Sequence, residues 1–207
     1  MGVMLLAADF KRGMLAAKDS VIGPNDGREM LKYVLVRAHH NGNAEIVALD
    51  GYTMVVSYAP CSVHGDDVND AVGYTDYLIA PLAVPAHAFT VNISKNGAQI
   101  VLDFSIDGSK DNIVITQTGV TGDYIDFYRV MMTYPPTFSI TVDPKYLARI
   151  AKACKSEKSV TICFYDPLKP IQIDGDHTRA ILLPVRMGER DSATRGDIIR
   201  YRRESHE

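Results

Sequence analysis

"FSITVDPKYLARIAKACKSE", residues 138–157, changes from a strand pattern to a helix pattern at Asp143. "FSITV" alternates apolar and polar residues as a half-buried strand does. Asp143 is a good N-cap, and Pro144 fits the first helical position, where no N–H is needed. The helix runs through "KYLARIAKACKSE". Three strands, "SVTICFYD", "KPIQID" and "RAILLPV", follow, with "DGDHT" as the last turn. This is a βαβββ unit.

The pattern occurs earlier as well, and the repetition decides the fold class. In the first unit "VMLLAA" is the strand and "DFKRGMLAAKDSV" the helix. Asp9 is the expected N-cap, and Phe10, Met14 and Leu15 share one face. "GPNDG" stops it. "MLKYVLVRAHH" and "AEIVAL" form a hairpin about "NGN", and Asp50–Gly51 turns the chain into "YTMVVSY". The polar loop "CSVHGDDVNDAVGYTD" leads to the second unit. There "YLIAP" is the strand and "AVPAHAFTVNIS" the expected helix, weakened by its β-branched residues. "AQIVLDFSI", "DNIVITQTG" and the region around "YIDFYRVMM" follow as strands or extended pieces. "TYPPT" marks a boundary, because paired prolines suit neither helix nor central strand.

The expected fold is α+β: three βαβββ units with helices packed on one face of antiparallel sheets. One unit alone buries little. The first two should therefore combine into a two-layer domain, residues 1–135. Residues 136–187 remain as a half-domain with an exposed sheet edge. They must pack back onto the first domain or find a partner chain. Residues 188–207 form a polar tail whose RGD triplet, Arg195 to Asp197, is an accident of composition.

Composition narrows the function. The chain has 207 residues, 46% of them apolar and 23% charged, with a formal net charge of −3. That is the balance of an ordinary globular protein. No run approaches the roughly 20 apolar residues of a membrane span. Cys61, Cys154 and Cys163 lack metal or disulfide spacing and fit a reducing cytosol. There is no phosphate-binding glycine loop and no nucleophile elbow. His39 and His40, adjacent on a strand, point to opposite faces, and His64 and His87 stand alone. Asp66 and Asp67 read as solubilising residues. No cofactor, metal or catalytic residue is expected.

Four stretches, in order, are similar to the bacterial sliding clamp, the beta subunit of DNA polymerase III. "VALDGYTMVV", Val47 to Val56, resembles the clamp's "ATDGxRLA" hairpin. "TGDYIDFYRVMM", Thr121 to Met132, resembles "FPDYRRVLP". "DPLKPIQI", Asp166 to Ile173, resembles "DPxxPVxI", and "AILLPVRM", residues 180–187, resembles the terminal "YVVMPMRL". The chain looks like the middle clamp domain followed by half of the last. Ile125 replaces the proline of the second motif, and Thr53 replaces the arginine of the first.

The resemblance implies a non-enzymatic, cytoplasmic processivity factor. Its surface pocket would take linear motifs of polymerases or repair proteins, with Leu and Phe anchors. By position the pocket comprises Leu49, Gly51, Tyr52, Thr53 and Met54, with Arg129 and Val130 as a second wall. Tyr146, Leu168 and Pro170 stand beside them, and Ile181, Leu183, Pro184, Val185, Arg186 and Met187 complete it. Helices would face double-stranded DNA without reading sequence, through Lys11, Arg12, Lys18, Lys95, Lys145, Arg149, Lys152 and Lys155. Chains would self-associate as a homo-oligomer. A monomeric peptide-binding module and a dispersed-site enzyme are the competing readings.

Overall fold

The computed structural model describes residues 2–21, 27–65, 73–120, 122–131 and 136–185. Asp66, Asp67, residues 133–135 of the expected boundary, and the tail 188–207 lie outside them. The chain divides into two compact units, Met1–Val130 and Met131–Glu207.

The first unit contains β1 (Gly2–Leu6), α1 (Ala7–Ala17), β2 (Val34–His39), β3 (Asn43–Leu49), β4 (Met54–His64), β5 (Tyr74–Ile79), β6 (Ala88–Asn96), β7 (Gln99–Ile106) and β8 (Ile113–Thr118). All eight strands form one antiparallel sheet in the order β5-β2-β3-β4-β1-β6-β7-β8. The halves β1–β4 and β5–β8 exchange their opening strands. β1 lies along β6, with Val3 opposite Ile93 and Leu5 opposite Val91. β5 lies along β2, with Ile79 opposite Val34 and Tyr77 opposite Val36. All eight of these side chains are buried.

α1 covers one face of this sheet. Its buried residues Ala7, Phe10, Gly13, Met14 and Ala17 follow helical spacing, and the Phe10 ring lies 6.2 Å from that of Phe104. Each large apolar side chain so buried contributes about 1.5–3 kcal/mol. Leu15, expected on the same face, is exposed. Asp9 is not the cap: the helix begins at Ala7 after an extended Leu6 that supplies no side-chain cap. Asp9 sits in the first turn instead, where a carboxylate suits the helix dipole, and pairs with Arg12 at 2.7 Å.

Among its described residues the second half has no α-helix. Residues 81–85 are irregular, and 88–96 form β6 with alternating burial around Val91 and Ile93. Pro85 disfavours the α conformation at Val84 before it, while Thr90, Val91 and Ile93 favour a pleated surface. Pro81, Leu82, Ala83 and Val84 instead flank a groove of about 340 Å³ beside Lys11, Met14, Leu15 and Lys18 of and after α1. The expected loop from Cys61 to Asp76 is shorter at both ends, because β4 continues to His64 and β5 begins at Tyr74. The region around "YIDFYRVMM" holds a 3₁₀ turn, Phe127–Val130, rather than a strand.

The second unit holds α2 (Pro144–Ala153), β9 (Thr161–Cys163), β10 (Ile171–Asp174) and β11 (Arg179–Leu182), with sheet order β11-β10-β9. Asp143 caps α2 as expected, its carboxylate accepting from the Lys145 N–H at 2.8 Å. Ile150 packs onto Cys154, Ile171, Ile173 and Leu182. The expected strand 138–142 lies outside the regular sheet, although Val185 N–H donates to the Thr141 carbonyl at 2.8 Å.

Gly13 lets α1 approach the sheet. A Cβ there would stand 2.4 Å from Ile46 Cδ1 and 3.0 Å from Ile46 Cβ. Helix propensity alone would make Gly13→Ala stabilising by roughly 1 kcal/mol. Overpacking of this kind costs about 1–3 kcal/mol, and the β-branched Ile46 yields little at its Cβ. Gly13→Ala should therefore lower the urea midpoint, and adding Ile46→Ala should cost less in that background than alone.

Candidate functional site

The first wall of the expected pocket is a hairpin turn at the end of β3. Asp50 Oδ1 accepts from the N–H groups of Tyr52 (2.8 Å) and Thr53 (2.6 Å), and Asp50 N–H donates to the Thr53 carbonyl (3.1 Å). Gly51 supplies the left-handed backbone, φ +93°. A Cβ on Gly51 would also meet Arg28 Nη1 at 2.5 Å. Leu49 and Met54 face each other across the hairpin, Leu49 buried and Met54 half-buried. Tyr52 is 95% exposed at the tip. Thr53 Oγ1 donates to Ser20 Oγ at 3.3 Å.

The second wall, Arg129 and Val130, belongs to the 3₁₀ turn. Both side chains are exposed, and Arg129 Nε lies 3.0 Å from Asp126. The two aromatic residues before them fasten the turn to the sheet. Phe127 is buried, and the Tyr128 hydroxyl donates to Glu45, a buried carboxylate on β3 that also meets His39 Nε2 at 3.1 Å. Arg37 completes the fastening. It makes two bonds to Asp76 (2.8 and 2.7 Å), and its guanidinium lies 4.0 Å from the Tyr74 ring centre and 5.3 Å from that of Phe127. Burial first, then the bond to Glu45, pushes the Tyr128 phenol above its ordinary range. Hairpin and turn thus both hang from β3. Sequence inspection missed Arg37, Glu45 and Tyr128 as a group. The Arg37–Asp76 and Glu45–Tyr128 pairs span 39 and 83 residues, so no local pattern announces them.

In the second unit, Leu182 points into the core while Ile181, Leu183 and Val185 are exposed. This alternation presents a row of apolar side chains along β11 and its continuation. Leu183 is 66% exposed. Pro184 between them is half-buried. Leu168 and Pro170 are exposed around a turn in which Asp166 accepts from the Leu168 N–H (2.8 Å), and Tyr146 is exposed on α2. Arg186 and Met187 lie outside the described residues.

The expected DNA-facing cations separate into three groups. On α2, Lys145, Arg149 and Lys152 are exposed at helical spacing on a helix without an acidic residue, and Lys155 is exposed in the turn beyond. Lys11 and Lys18 are exposed on and just after α1, whereas Arg12 is tied to Asp9 and to the Tyr58 carbonyl (3.3 Å). Lys95 is on a strand, not a helix: it belongs to β6, with Nζ 5.6 Å from the Tyr77 ring centre. Among the described residues no group of His, Cys, Asp or Glu could hold a metal ion. No described helix is long and apolar enough to cross a membrane.

No protein-family model and no curated protein matches this sequence. Solved structures do match. The DNA polymerase sliding clamp of Bacillus subtilis is 13% identical with a TM-score of 0.65, over 91% of this chain and 50% of that one. A putative DNA polymerase III beta subunit from Eubacterium rectale is 14% identical with a TM-score of 0.64, over 91% and 52%. A Helicobacter pylori beta clamp bound to a DNA ligase peptide is 12% identical with a TM-score of 0.62, over 90% and 51%. The fold is that of bacterial sliding clamps, and the chain spans about half the length of the clamps it matches.

The hairpin carries its own pH signature. The Thr53 and then the Tyr52 N–H groups hold the Asp50 carboxyl below the usual carboxylate range. Its contribution to stability is present above the unfolded-state pKa and is lost as pH falls through the lower folded pKa. In an NMR titration the Tyr52 and Thr53 amide shifts should move with a midpoint below that of an ordinary aspartate. Asp50→Ala should abolish this transition.

Proposed function

We propose that this chain is a non-enzymatic, cytoplasmic, clamp-like protein that self-associates on double-stranded DNA and captures linear motifs of polymerases or repair proteins. The fold shared with a clamp bound to a ligase peptide supports this reading. The observation that carries it is the exposed apolar row Ile181, Leu183 and Val185, which would receive the Leu and Phe anchors of an extended peptide. α2 would face phosphates, since its cations have no acidic neighbour on the helix.

Peptide capture is tested by fluorescence anisotropy with a short labelled peptide carrying Leu and Phe anchors. The wild-type chain should bind it, and Leu183→Asp should weaken binding at least tenfold with an unchanged thermal midpoint, because Leu183 is exposed. No binding by the wild-type chain overturns peptide capture.

DNA contact should be electrostatic and indifferent to sequence. Each phosphate contact contributes about 0.9 to the slope of log affinity against log salt on duplex DNA. Replacing Lys145, Arg149 and Lys152 by Ala should therefore flatten that slope by about 2–3 and weaken all duplexes alike. An unchanged slope would remove α2 from the DNA face. The alternative is a monomeric module that binds peptides without encircling DNA.

A further inference from the structure

The second unit has a core that stops at a strand edge. Ile162 on β9 is paired with Ile173, so both face α2, yet Ile173 is buried and Ile162 is 48% exposed. Phe164, next on that face, is 53% exposed even though the Phe138 ring of the same chain lies 6.3 Å away. The first unit shows what covers such an edge. β6 and β2 are the strands corresponding to β9, each the first of three after its opening segment. Their core residues Val91, Ile93, Val34 and Val36 are buried because the opening strand of the opposite half lies alongside. In the second unit the opening segment is 138–142, with Ile140 and Val142 packed against its core. Among the described residues there is no opposite half.

We propose that a second copy of this chain supplies it. Residues 138–142 of each copy add to the outer edge of β9 in the other, about a two-fold axis, as β1 and β5 do within the first unit. Leu5 and Val3 precede α1 by the same offsets as Val142 and Ile140 precede α2. The β1–β6 register therefore transfers directly: Val142 lies opposite Ile162, Ile140 opposite Phe164, and Thr141 opposite Cys163. Thr141 turns its carbonyl to Val185 of its own chain. Opposed Cα atoms in an antiparallel pair approach to about 4.5–5.5 Å. Neither 138–142 nor 159–164 contains a charged residue or proline, so the two segments meet without repulsion and with complete backbone donors. The surface is isologous, as a two-fold pair requires. This inference deepens the self-association part of the proposed function and does not depend on peptide capture.

Thr141→Cys on the full chain tests the register with the native thiol of Cys163 as its partner. Under mild oxidation the variant should form a species of twice the 22.8 kDa chain mass on non-reducing gels, and Cys163→Ser should abolish it. Light scattering on reduced wild-type protein should show a concentration-dependent dimer, and Ile162→Lys should raise its dissociation constant at least tenfold. A wild-type monomer at every concentration overturns the proposal, as it would if the edge were covered by the same chain or another protein. A disulfide formed within one chain, or a dimer indifferent to Ile162→Lys, overturns it equally. Failure of the peptide titration alone leaves it standing.

Discussion

The fold depends on covering the outer edge of the first strand in each three-stranded meander. An uncovered edge leaves backbone groups without ladder partners and exposes the last row of the core. In the first unit each half lends its opening strand to the other, so Val3 and Leu5 close over β6 while Tyr77 and Ile79 close over β2. One continuous sheet follows, and α1 covers the face on which Val3, Leu5, Phe10, Val91 and Phe104 are buried. The segment that might have been a second helix is free to remain extended beside α1.

The second unit obeys the same local rules without that exchange. Its helix is well capped, its turns are held by Asp166 and Glu157, and its small core is built from Ile150, Cys154, Ile171, Ile173 and Leu182. Among its described residues it lacks the opening strand of another half. Its exposed apolar side chains fall on two distinct surfaces. Ile162 and Phe164 belong to the interrupted core, whereas Ile181 pairs with Gln172 on the opposite face. Assembly and peptide capture would therefore use different faces of one small sheet.

Much of this was legible in the residues. Asp50–Gly51 and "NGN" announce hairpins because their chemistry is local, and Asp143–Pro144 announces a helix for the same reason. The missing helix over 83–94 was misread because its apolar residues fit a helical face loosely and a strand face well, and pairing with both β1 and β7 favoured the strand. Asp9 looked like a cap, but β1 runs directly into α1 and leaves it in the first turn. Of the candidate site, the hairpin and the apolar row of β11 were visible. The buried Glu45 and the Arg37 cluster that fasten the Phe127–Val130 turn arise only when β2, β3 and β5 come together, and no spacing along the chain encodes that.

Edge coverage by a lent opening strand organises the first unit, and the proposed dimer would complete the second in the same way. Amide hydrogen exchange resolved by segment, measured over a range of protein concentrations, addresses it most directly. Strong protection of β2 and β6 is expected at every concentration, with protection of β9 and 138–142 rising together as concentration increases. Protection of β9 that does not change with concentration would contradict it.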